Sequence, residues 1–269
     1  DLTNFGVVDG GVEVAGDNGA ATTITLAGGN TVKISADQTV AALTIDANDA
    51  LTTTAMTLDV DNDSALGIIT ADIETIQIDA GSAALSLAAL DMDANDAAVT
   101  YVGLGNLTAT DVDTGSLKMT TGGLSAVKVN AIDGTLVIDA TNDVTLTDAM
   151  TAQNDITITA DDITLTTVTD SNAGTLADDL VLTATNDISL TTASTQDNIT
   201  LTAGQDVTTT TLTADNDIVI TTTNDAAVGT VTADAGDITI SAREIDGTGV
   251  TATAGNVTLT ATDDTGTKT

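Results

Sequence analysis

The chain has 269 residues, with 40 Asp or Glu against five Lys or Arg and a net charge of −35. Such a polyanion repels nucleic acid and anionic membrane, because phosphate binding needs clustered Lys and Arg; it favours cations, basic partners and solubility in salt. Cys, His, Trp and Pro are absent, so disulfides are excluded and the cysteine count gives no redox compartment.

An acidic chain with few aromatics can be disordered, but here 42% of residues are apolar and alternate with polar ones in runs of four to six. Pro would remove a ladder hydrogen bond, and Thr, about a fifth of the residues, suits a pleated, half-exposed surface. Extended β-sheet is therefore expected. No apolar run approaches the roughly 18 residues of a membrane span. The opening Asp1-Leu2-Thr3-Asn4 lacks the basic and apolar regions of a signal peptide, and the composition favours the mature form of a secreted protein.

Residues 1–30 carry seven glycines that break any long strand. Gly11-Val12-Glu13-Val14 and Thr23-Ile24-Thr25-Leu26 still read as short pairing segments, and the region is expected to be an atypical first coil, cap or assembly segment. Over residues 31–116, strand-like runs fall at Thr31–Ser35, Leu43–Asp46, Met56–Val60, Ile76–Asp79, Leu85–Ala88 and Val99–Val102, with Asp-rich turns between them and no single register. Residues 117–269 form a regular array. A tetrad, most often apolar–Thr–apolar–Thr, starts at Leu136, Ile156, Leu180, Ile199, Ile218, Ile238 and Val257, at spacings of 20, 24, 19, 19, 20 and 19. Asp155, Asp179, Asn198, Asp217, Asp237 and Asn256 stand just before the last six.

A period in this range predicts a solenoid, each repeat being one coil stacked on the last. In the coil ITLTAGQDVTTTTLTADND, Ile199 and Leu201 point one way and Thr200 and Thr202 the other. Ala203-Gly204-Gln205-Asp206 reads as a turn, Val207 opens a second strand and Leu212 belongs to a third. No 12-residue helical pattern occurs. The expected fold is all-β, a right-handed parallel β-helix with coils of about 19–20 residues, in which Ile199 stacks over Ile218 and Leu201 over Ile220.

The segments Asn198-Ile-Thr-Leu-Thr-Ala-Gly-Gln-Asp-Val207 and Asn256-Val-Thr-Leu-Thr-Ala261 resemble the repeats of filamentous-haemagglutinin-like bacterial adhesins. The resemblance covers residues 117–264. It implies a secreted right-handed β-helix with a role in attachment.

Three residue patterns bear on chemistry. Asp59, Asp61 and Asp63, with Asp91, Asp93 and Asp96, place carboxylates two or three residues apart, and they are the candidate Ca²⁺ ligands. Against an EF-hand, Ser64 stands where that loop has Gly and Thr70 where it has Glu. The favoured reading is of solvated turn residues that bond locally. The Asp or Asn before each tetrad is expected to bond the next main-chain N–H and to stack into a polar ladder whose like charges repel, giving a diffuse dependence on salt or divalent cations. Thr157-x-Thr159, Thr200-x-Thr202, Thr239-x-Ser241 and Thr258-x-Thr260 would form parallel rows, the surface of an ice-binding solenoid, although Val181 and Val219 interrupt them.

Arg243 beside Glu244 reads as a surface pair rather than a catalytic one, and Tyr101 as an edge or core residue. No cofactor is required by any motif, and no catalytic residue is named. The functional expectation is a non-enzymatic extracellular or cell-surface structural protein, either a filament subunit or an adhesin stalk. Head-to-tail self-association and a cell-surface or glycan target are its expected partners, without nucleic acid or membrane insertion. The alternatives are an ice-binding solenoid and a carbohydrate-active β-helix.

Overall fold

The computed structural model describes the backbone of residues 98–263, apart from 133 and 171–177, and nine earlier strands beginning at Phe5; side chains are described at Ile78 and over 98–263 apart from 111, 133 and 170–177. The chain divides into two units, residues 1–134 and 135–269. Among the described residues every regular element is a strand.

The strands of the first unit are β1 (Phe5–Val8), β2 (Gly11–Val14), β3 (Asn18–Thr25), β4 (Thr31–Ile34), β5 (Gln38–Asp46), β6 (Ala55–Val60) and β7 (Ser64–Asp72). They continue as β8 (Thr75–Gly81), β9 (Leu85–Asp91), β10 (Ala98–Gly103), β11 (Asn106–Thr114), β12 (Ser116–Thr121) and β13 (Gly123–Ala131). From β2 on, even strands pair in parallel with even and odd with odd, so each coil contributes one strand to each of two sheets. β1 departs from this pattern, lying antiparallel to β2 with Phe5 opposite Val14. Gly11, Thr31, Thr57, Gln77, Thr100 and Lys118 share one column. Their unequal spacing explains why no single period is visible here: turns of different length connect strands that nevertheless pair in register.

The second unit holds β14 (Leu136–Ala140), β15 (Val144–Ala152), β16 (Ile156–Ala160), β17 (Ile163–Asp170), β18 (Leu180–Ala184), β19 (Ile188–Thr195) and β20 (Ile199–Ala203). It ends with β21 (Val207–Ala214), β22 (Ile218–Thr222), β23 (Asp225–Ala233), β24 (Ile238–Ala242), β25 (Glu244–Ala252) and β26 (Val257–Ala261). The tetrads are the even strands. Ile199 lies over Ile218 and Leu201 over Ile220 in a parallel ladder, as the alternation predicts. Five even strands share one pattern, with the first, third and fifth residues buried and the second and fourth turned outward. The fold is a β-solenoid.

The odd strands carry a corner. In β21, Thr210 and Thr211 both face outward between buried Thr209 and Leu212. The ladder to β19 passes from Leu190↔Thr209 to Thr192↔Thr211, skipping one position. Two successive outward residues require the strand to turn, so the second and third segments expected from Val207 and Leu212 are one bent strand. Inside, Ile199, Leu201, Val207, Leu212 and Ala214 are completely buried. One coil cannot bury these side chains alone; stacking at about 4.8 Å per coil buries them and completes the main-chain hydrogen bonds.

Candidate functional site

The turns that precede the strands hold most of the charge in the second unit. Asp155 is the first rung of a ladder that continues through Asp179, Asn198, Asp217, Asp237 and Asn256. The main-chain N–H of Asp179 donates to Asp155 Oδ1 at 3.0 Å, and Asn198 N–H to Asp179 Oδ1 at 3.2 Å. The pattern repeats from Asp217 to Asn198 at 3.0 Å, Asp237 to Asp217 at 2.7 Å and Asn256 to Asp237 at 2.7 Å. Each side-chain oxygen therefore serves the equivalent residue one coil later, not its own successor in sequence as expected. The successor's N–H has a different acceptor: Ile199 donates to the main-chain oxygen of Asp217.

A second ladder precedes the odd strands. Asp187 N–H donates to Asp162, Asp206 N–H to Asp187 and Asp225 N–H to Asp206, each at 3.0 Å. Beside it runs an amide row, in which Asn186 Nδ2 donates to Asp161 at 3.0 Å and Gln205 Nε2 to Asn186 at 2.9 Å. A carboxylate that accepts an N–H makes a charge-assisted bond, and stacking sets it about 4.8 Å from the next rung. The ladders therefore combine local hydrogen bonding with like-charge repulsion. Asn198 and Asn256 interrupt the first of them and keep the acceptor without the charge.

Arg243 lies at the end of the amide row, and its guanidinium meets Asp225 at 2.7 Å and Asp263 at 3.6 Å. These ion pairs join successive coils; the expected pairing with the adjacent Glu244 gives way to them. The reason is geometric. Arg243 stands in the turn between β24 and β25, stacked between residues 224 and 263 of the neighbouring coils, so its guanidinium reaches Asp263 on one side and, on the other, Asp225, the strand residue that pairs with Glu244.

Between the turns the outward positions of the even strands from β16 to β26 are uncharged, whereas the odd sheet carries exposed Asp148, Glu244 and Asp246. On the even sheet, one column runs Asp139, Thr159, Thr183, Thr202, Thr221, Ser241 and Thr260, and the column beside it alternates Val and Thr as far as Thr239 and Thr258. A third hydroxyl column lies on the odd sheet, at Thr151, Thr169, Ser194, Thr213, Thr232 and Thr251. Val181 and Val219 replace a hydroxyl by a methyl of the same shape. Both sheets carry hydroxyl columns, so no single face is set apart.

Of the candidate Ca²⁺ ligands, Asp59 stands in β6 and Asp91 in β9, but their side chains lie outside the described residues, as do Asp61, Asp63, Asp93 and Asp96 altogether. Among the described residues no three acidic side chains form a metal-sized cluster. Tyr101 is a core residue, 1% exposed. Burial pushes its phenol up to about 12, opposed in part by the neighbouring Thr121 side chain. No hydrogen bond of good geometry reaches the hydroxyl. Sequence reasoning missed Asp178, which is 2% exposed just before ladder residue Asp179; nothing in its sequence context distinguishes it from the exposed turn acids. Compared with known proteins, the chain matches no family model, no curated protein and no solved structure.

Proposed function

We propose that the chain is a non-enzymatic extracellular structural protein, a stack of coils serving as part of a surface filament or adhesin stalk. One observation carries this reading: from β16 on, equivalent residues recur from coil to coil, so hydroxyls fall in columns and carboxylates in turn ladders. Catalysis needs different groups converging on one point; a column of like groups instead supports repeated, shallow contact along a stiff support. The resemblance of residues 117–264 to secreted adhesin repeats favours the same role. Fixed hydrogen bonds at each turn and dense packing inside suit a part that bears load and holds a binding surface at a distance.

An ice-binding role would use one flat hydroxyl face. Hydroxyl columns on both sheets of the solenoid favour the structural role, in which Thr serves simply as a strand former.

Immunogold microscopy on producing cells tests the proposal. Label along fibres or stalks outside the cell is the expected result. Label confined to the cell interior would overturn it.

A further inference from the structure

We draw no further inference here: the strongest candidate, the buried carboxylate of Asp178 at the turn into β18, 2% exposed, directly follows residues 171–177, which lie outside the described residues, and nothing in the structure shows what that carboxylate faces.

Discussion

The main-chain N–H of Asp237 donates to the carboxylate of Asp217, one coil earlier, at 2.7 Å. Asp217 itself donates in the same way to Asn198. The ladder thus needs an oxygen at each rung and does not need a charge. Asp217→Ala removes the acceptor and should cost about 0.5–1.5 kcal/mol, at the low end because the site is exposed. Asp217→Asn should hold stability or raise it slightly at low ionic strength. Thermal melts of the two variants check this; equal losses would mean that the charge, not the bond, matters.

Because carboxylates of successive coils face one another in two ladders, stability should rise with added NaCl. Screening acts over about 10 Å at 0.1 M salt and about 3 Å at 1 M; the coil spacing of about 4.8 Å lies between these, so the gain should continue beyond 0.1 M and level off toward 1 M. The melting temperature in NaCl, with CaCl₂ added to a high-salt background, is the measurement. A diffuse ladder predicts little further gain from calcium there. A saturable gain would indicate a discrete site, for which Asp59, Asp61, Asp63, Asp91, Asp93 and Asp96 are the first residues to vary.

The tetrads are legible because inward Ile and Leu alternate with Thr at strand period, and their return every 19 or 20 residues predicts the Ile199–Ile218 and Leu201–Ile220 stacking. The bend at Thr210 is less legible: its only sequence mark is a run of four Thr in which alternation cannot be read. Arg243 bonds to Asp225 and Asp263, residues 18 and 20 positions away, a link visible only once the coil length is used as a ruler. In the first unit, strands such as β4, β6 and β10 fall on the expected runs, but β7 escapes notice. Its sequence SALGIITAD alternates poorly because a corner shifts the phase, as in β21. The candidate site was legible as turn Asp and outward Thr; the partner of each rung was not, since it belongs to another coil.

Tyr101 gives the stack a pH limit. Its folded pKa is raised, from 10.0 to about 12, so between these values the native state keeps a proton that the unfolded chain loses. Its contribution is fully present below about pH 10 and is lost as pH rises through about 12, by about 3 kcal/mol in all. As the only Tyr in a chain without Trp, it can be followed directly by phenolate absorbance. A phenol that titrates in the folded protein near pH 10 would contradict its burial.

Glycines in the turns and bent strands separate tight from open positions. A Cβ on Gly204 would lie 1.9 Å from the Thr185 carbonyl oxygen, and one on Gly229 2.1 Å from that of Thr210. Both contacts are to backbone, so Gly204→Ala must push neighbouring coils apart and should cost about 1–3 kcal/mol. Gly249 has nothing within 4 Å, and Gly249→Ala should be neutral or stabilise by up to about 1 kcal/mol through the unfolded state. Opposite shifts in melting temperature are the expected outcome.

Val219 and Ile220 are adjacent in β22 but face opposite ways. Ile220 is fully buried between Leu201 and Ile240, so Ile220→Ala opens a cavity and should cost about 2–5 kcal/mol. Val219 lies in the outward column between Thr200 and Thr239, and Val219→Thr completes a hydroxyl run with a change within about 0.5 kcal/mol. Because each coil touches only its neighbours, the Ile220→Ala loss should appear as early local opening around β20–β24 rather than as a uniform shift. Hydrogen exchange followed strand by strand distinguishes the two. Uniform loss of protection across the second unit would mean that the coils melt as one cooperative block.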